Sequence, residues 1–200
     1  MVSCQNNPFL SHAENLMLGH VWQVSNKEFH FTEIEFYSKS VNGDGDPYTH
    51  GHAEQLKSDS WYFHGSGIDI TFGDADTYGG ILIRGIKFKD EHDQWQYISG
   101  PIRVATAIFS AIGQTPMQQL SFGLKKLGMP VEIKIYCCPR VGLNAKLDAD
   151  YAKKHYRFIT DICPEHKFAQ KEQVAKALFE SKQLGEDDIN ALFRYKIIKV

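Results

Sequence analysis

The chain has no apolar run long enough to cross a membrane, no internal repeat, no low-complexity tract and no cysteine pair at metal-site spacing. Each absence removes a class. Without a membrane-length run or a basic-then-apolar leader, cytoplasmic residence is the expectation, with nucleoid association in a bacterial cell. The four cysteines, Cys4, Cys137, Cys138 and Cys163, form neither a CxxC metal pattern nor a secreted disulfide framework. Cys137 and Cys138 lie in an apolar stretch and read as buried free thiols. A strong excess of either charge is also missing: the net charge is −2, which is not the footprint of a strong nucleic-acid binder. The charge is unevenly spread, however. Residues 1–124 hold 7 Lys and Arg against 14 Asp and Glu, and residues 125–200 hold 15 against 10, so a polyanion would lean on the second half.

What is present suffices for one core, since 42% of the 200 residues are hydrophobic and 12% aromatic. Ser11 to Gly19 reads as a short helix capped by Ser11, and Val21–Val24 with Phe29–Tyr37 as a hairpin turning at Ser25-Asn26-Lys27. Trp61–His64, Gly67–Phe72 and Gly80–Phe88 read as strands, the last nearly all apolar and therefore central. Gly100-Pro101 opens a helix with an apolar stripe of Ile102, Ala105, Ile108, Phe109 and Ile112. Thr115-Pro116 opens an expected second helix that stops at Gly128. Pro130–Cys138 and His155–Ile162 read as further strands, and Lys167–Ser181 and Glu186–Tyr195 as two amphipathic helices. Strands and helices without regular βαβ alternation indicate an α+β fold.

The chemistry concentrates in Phe29-His30-Phe31-Thr32-Glu33-Ile34-Glu35-Phe36-Tyr37 and the turn-rich loop that follows, with Asp46 and His50. Alternation places Glu33, Glu35 and Tyr37 on one face of a strand and Ile34 and Phe36 on the other. Two carboxylates and a tyrosine, with a histidine from the next loop, are the parts of a hydrolytic site. Arg84 within an apolar strand requires an anionic partner: Glu35 is the candidate, a ligand phosphate the alternative. His50-Gly51-His52, with Asp46 and His64, could be read as metal ligands, but no further ligand is fixed by spacing.

In this order the motifs resemble those of the 3-methyladenine (alkyladenine, methylpurine) DNA glycosylases. Ala13-Glu14-Asn15-Leu16-Met17-Leu18-Gly19 looks like that family's opening helix, and Thr32-Glu33-Ile34-Glu35-Phe36-Tyr37 like its "ETEAY" strand. Asp46 through His50 looks like its "D-x-x-x-H" loop and Gly80-Ile81-Leu82-Ile83-Arg84-Gly85 like its "VLLRA" strand. Ser99-Gly100-Pro101 is similar to its "GP" helix start, and Pro139-Arg140-Val141-Gly142 and Tyr156-Arg157-Phe158 to its closing elements. The resemblance implies a curved mixed sheet with flanking helices over residues 1–163, with residues 164–200 a helical extension packed on that core. It also implies a metal-free, cofactor-free monofunctional glycosylase, monomeric, with no membrane partner. Such an enzyme flips a damaged purine out of DNA and hydrolyses its N-glycosidic bond with water, as the first step of base excision repair.

Carried over residue by residue, Glu35 takes the general base, and Arg84 helps hold the attacking water and a phosphate. Independently of the resemblance, Glu33, two residues away on the same face, is expected to raise the Glu35 pKa by like-charge repulsion. Tyr37 takes the stacking aromatic and His50 a contact to the excised nucleotide. Counting back from Arg84 places Trp61 at the second stacking aromatic, His64 at the DNA wedge and Thr71 at a pocket position. The chain departs from the family pattern after His50: the loop that meets the DNA backbone is shortened, and Gly51–Ser60 carries one certain cation, Lys57. That departure raises two alternatives: hydrolysis of single-stranded or free nucleoside substrates, and a non-catalytic binding protein on an inherited glycosylase scaffold.

Overall fold

The long strand begun by Phe29 and Phe31 is the member that the rest of the molecule pairs with. The computed structural model describes residues 4–193. In chain order the elements are α1 (Leu10–Gly19), β1 (His20–Val24), β2 (Lys27–Ser40), β3 (Ser58–His64), β4 (Gly67–Phe72), β5 (Thr77–Lys89) and β6 (Trp95–Ser99). They continue with α2 (Pro101–Gly113), β7 (Phe122–Lys126), β8 (Tyr136–Cys138), α3 (Ala149–Lys153), β9 (Arg157–Ile159), α4 (Lys171–Glu180) and α5 (Glu186–Phe193). The strands run β3-β4-β5-β2-β1-β7, with β6 on β5, and β9 joining β2 to β8. Every pairing is antiparallel. The result is a single α+β domain built on a curled, half-barrel sheet.

The curl has a local cause. Along β2, Phe31 faces Ile86 and Ile34 faces Ile83, with irregularities on both sides of Glu33. Such interruptions bend a strand and reset which face its side chains take. Phe29 and Phe31 before the irregularity, and Ile34 and Phe36 after it, therefore all enter the same core. They meet Ala13, Leu16 and Met17 of α1 and Val104, Ala105 and Ile108 of α2. Glu33, Glu35 and Tyr37 take the opposite face. Gly85 is what lets the two strands close at this point: a Cβ there would lie 2.7 Å from Thr32 Oγ1 and 2.9 Å from Glu33 Cβ.

Several elements differ from the sequence reading. Residues after Pro116 make one 3-10 turn, Met117–Gln119, and then strand β7 rather than a second helix. The tertiary partner decides this, because β7 completes the edge beside β1 and sets Phe122 against Trp22 and Trp61. Packing of that size overrides a weak helical preference. The first helix is capped by the Phe9 backbone and receives no side-chain cap from Ser11. Strand β6 is additional to the expected strands, and only Tyr136–Cys138 of the expected 130–138 strand joins the ladder. Cys137 pairs with Cys4 in a disulfide, with Cα atoms 5.8 Å apart, while Cys138 stays a buried free thiol. The pair ties the segment before α1 to β8. Helices α4 and α5 seat Val174, Leu178, Ile189 and Phe193 on Cys138, Ile159 and Ile162 in a second apolar cluster. The last two residues of the helix expected to end at Tyr195 lie outside the described residues. No described helix is long and apolar enough to cross a membrane.

Gly85→Ala tests the closure. Adding a methyl where none fits costs typically about 1–3 kcal/mol, and the lost stability is to be read from urea denaturation. Gly113→Ala, where a Cβ meets nothing within 4 Å, is the control and is expected to stay within about 1 kcal/mol of the parent.

Candidate functional site

The face of the sheet opposite the core carries Glu35, Leu82 and Asp69 side by side across β2, β5 and β4. Above it lies a cavity of about 340 Å³, within the size range of small-molecule sites. Its lining includes Tyr37, His50, His64, Asp69, Leu82 and Arg84, closed at one side by Pro101 of α2 and at another by Gly142 and Leu143.

Glu35 is 0% exposed and lies one layer behind the cavity. Its Oε1 accepts from the Val141 N–H at 2.7 Å, and its Oε2 accepts from the Tyr37 hydroxyl at 2.8 Å and from Arg84 Nη1 at 3.4 Å. Tyr37 and Arg84, both of which line the cavity, are therefore its link to a ligand. Burial pushes the Glu35 carboxyl above its ordinary range; the charges of Arg84 and Arg157 and the Val141 N–H pull the other way, and Glu33 adds only a small upward push. Like-charge repulsion from Glu33 is thus the minor cause, contrary to expectation. Burial and the Glu35 charge hold Tyr37 far above the usual phenol range, so it stays a hydroxyl donor. For Arg84, burial opposes the charge, and the Glu35 and Glu33 carboxylates outweigh it.

Glu33 has a different task. Its Oε1 accepts from Arg84 Nε at 2.9 Å and from Arg157 Nε at 2.8 Å, so one carboxylate serves two buried guanidinium groups. Arg84 thus finds its closest anion in Glu33, with Glu35 second. Arg140, from the Pro139-Arg140-Val141-Gly142 turn, pairs with Asp46, donates to the Phe36 carbonyl at 2.9 Å and lays its guanidinium 4.5 Å from the centre of the Tyr37 ring. That turn therefore holds the loop before His50, one face of Tyr37 and, through Val141, Glu35.

The opposite wall is a second network. The side chain of His64 is 10% exposed; its Nε2 lies 3.0 Å from Asp69 Oδ1, and its Nδ1 accepts from the Ser66 N–H at 3.3 Å. His64 stacks on Tyr62, and Tyr62 on His52, each at 4.8 Å between ring centres. It is a wall of the cavity rather than a projecting wedge. Trp61 does not reach the site: it stacks on Trp22 in the core at 4.4 Å. Positions 61 and 64 are an odd number of residues apart on one strand, so they fall on opposite faces. Thr71 shares the cavity's face but bonds the Ser60 backbone instead of lining the cavity. Asp69 and Gln55 occupy the wall where a pocket residue was expected. No group of three or more His, Cys, Asp or Glu side chains arranged for a metal ion occurs among the described residues.

No family model matches this chain. A protein of Acanthamoeba polyphaga mimivirus, named "Uncharacterized protein L759", is 26% identical to it, over 77% of this chain and 87% of the viral protein. That name assigns no activity, so the chemistry rests on the geometry of the site itself.

The structure thus gathers Tyr37, His50, His64 and Arg84 around one cavity with Glu35 directly behind, and leaves Trp61 and Thr71 outside it. Sequence reading missed Gln55, Asp69 and the role of Arg140. Arg140 stood in a quoted motif without a task, whereas nothing in the sequence singled out Gln55. Glu33→Ala leaves two buried guanidinium groups without their shared anion. Removing one partner of a buried ion pair typically costs about 3–5 kcal/mol. Chemical denaturation is expected to show a loss of that order, and a loss under about 1 kcal/mol would deny Glu33 its structural task.

Proposed function

We propose that the chain is an N-glycosidic hydrolase of the alkyladenine DNA glycosylase type, acting on a damaged purine nucleotide held in the cavity above Tyr37 and Arg84. The observation that carries this reading is the buried Glu35 carboxylate, presented to the cavity through the Tyr37 hydroxyl at 2.8 Å and the Arg84 guanidinium at 3.4 Å. A target base inside a duplex is out of reach and must be extruded into such a cavity. Tyr37, backed by Arg140, offers its ring to the base, and His50 stands at the mouth.

In the chemical step the sugar C1′–base nitrogen bond breaks and its electron pair leaves with the base, while water oxygen bonds to C1′. The water proton passes to the Tyr37 oxygen as Tyr37 passes its own proton to Glu35 Oε2. An alkylated, cationic base leaves neutral and needs no further proton. The carboxylate also opposes the positive charge that develops on the sugar. Arg84 fixes the Glu35 orientation and the water.

A second reading, hydrolysis of single-stranded or free nucleoside substrates, is favoured by one observation. Lys57, the certain cation of the shortened segment after His50, is held by Glu54 at 2.7 Å. Duplex gripping through phosphates makes affinity fall steeply with salt, and a reaction insensitive to salt would favour this second substrate class.

Release of base from oligonucleotides carrying 3-methyladenine or hypoxanthine is the direct test. Glu35→Gln and Tyr37→Phe are each expected to lower the rate by at least about 100-fold, within the range of general-base contributions, with the circular dichroism spectrum unchanged. Full activity in Glu35→Gln would remove it from the reaction. A base works only when ionised, and the Glu35 pKa is raised. The rate is therefore expected to climb with pH along an acid limb lying above the ordinary carboxylate range. A limb at or below that range would count against Glu35 as the base.

A further inference from the structure

The wall of the cavity formed by Gln55, His64 and Asp69 is not used by the reaction above, and its hydrogen-bond polarity is fixed. Asp69 is 3% exposed. Its Oδ1 is taken by His64 Nε2 at 3.0 Å, whereas Oδ2 has only Gln55 Nε2 at 3.5 Å, beyond the normal range for an N–H···O bond. Since the His64 Nδ1 accepts from the Ser66 N–H, its Nε2 carries the proton given to Asp69. The carboxylate is thereby an acceptor on a residue that lines the cavity, and its Oδ2 is held by that one long contact alone.

Gln55 is oriented just as firmly. Its Oε1 accepts from the Gly51 N–H at 3.0 Å and the His52 N–H at 3.3 Å, so the amide cannot turn over without leaving both donors facing a nitrogen. Its Nε2 must then point along the wall toward Asp69. Space for the pair exists because residue 80 is glycine: a Cβ there would fall 2.7 Å from both Asp69 Oδ2 and Gln55 Nε2. The wall thus offers one acceptor beside one donor, in an order that neither side chain can reverse.

We infer that Asp69 and Gln55 are specificity-determining residues that select purines presenting an amino donor beside a ring-nitrogen acceptor, as adenine does, and reject 6-oxo purines. This rests on the proposed purine site and narrows it, since that reading alone admits deaminated bases. For a base held in one pose, a 6-oxo group would set oxygen against the Asp69 carboxylate. Its ring N–H would face the Gln55 donor. Sites built to pair polar groups reject the analogue that leaves them unpaired.

Calorimetric titration of the full chain with free adenine, hypoxanthine and N6,N6-dimethyladenine tests this without relying on catalysis. Adenine is expected to bind at least about tenfold more tightly than the other two, a gap within what one unmatched polar group produces. Asp69→Asn, checked for folding by circular dichroism, is expected to narrow that gap to less than about threefold, because the amide can donate as well as accept. Equal binding of adenine and hypoxanthine, a preference for hypoxanthine, or binding of none of the three overturns the inference. If Asp69→Asn fails to fold, the comparison of adenine with its dimethylated form in the parent chain decides alone. Base release is scored separately. No cleavage with the adenine preference intact removes the hydrolase reading and keeps the inference, while equal release of 3-methyladenine and hypoxanthine does the reverse.

Discussion

Glu33 holds the centre of this molecule, because a single buried carboxylate neutralises two arginines from different strands. Arg84 comes from β5 and Arg157 from β9, and both approach the same oxygen on β2. A charge removed from water is tolerated only where its partner is close and its remaining polar atoms are bonded. That condition fixes the relative placement of three strands at once. It also fixes the Arg84 guanidinium, from which Glu35 and the cavity floor take their geometry. Glu33 and Glu35 thus share one layer of charge, with Glu33 on the structural side and Glu35 on the side of the cavity.

The cavity is built from two networks that meet across it. The floor consists of Glu35, Tyr37 and Arg84, locked by the Val141 N–H and backed by Arg140. The wall consists of Asp69, His64 and Gln55, locked by the backbone of residues 51, 52 and 66. Each of these six side chains is oriented by a bonded partner, which is what a site needs to hold a ligand in one pose. In the floor Glu35 is closed to solvent behind Tyr37 and Arg84, and in the wall Asp69 keeps one oxygen with only a long contact. On the proposed reading, reaction and recognition fall to different residues.

Much of the floor is legible in the sequence, and little of the wall. Alternation alone places Glu33, Glu35 and Tyr37 together, because a strand leaves no other choice. The same rule carried back to Phe29 and Phe31 would put them on the carboxylate face. The irregularity around Glu33 sends them to the core instead, and its only trace in the sequence is Gly85 on the partner strand. The wall depends on register between strands, which no local pattern states. Ungapped counting from Arg84 points to Thr71, whereas the pairing of Asp69 with Leu82 puts Asp69 in the wall. Strand β7 was hidden for a related reason: its preference is weak, and its identity comes from the Trp22, Trp61 and Phe122 rings.

Of the seven Lys and Arg side chains in residues 1–124, Lys57, Arg84, Lys87 and Lys89 are each held by a carboxylate within the chain. Arg84, the cation that lines the cavity, already answers to Glu33 and Glu35, so a ligand phosphate would have to compete with two fixed anions for it. Arg140 is likewise committed to Asp46. On the proposed reading, a nucleotide entering here meets paired charge near its phosphates and the Asp69–Gln55 pair near its base. Backbone-dominated binding draws its strength from releasing counterions at unpaired cations, and Arg84 in the cavity lining and Arg140 behind Tyr37 are both already paired. On the proposed reading, affinity comes from stacking on Tyr37 and from the acceptor–donor pair of Asp69 and Gln55, which makes the base, rather than the strand that carries it, the object of recognition.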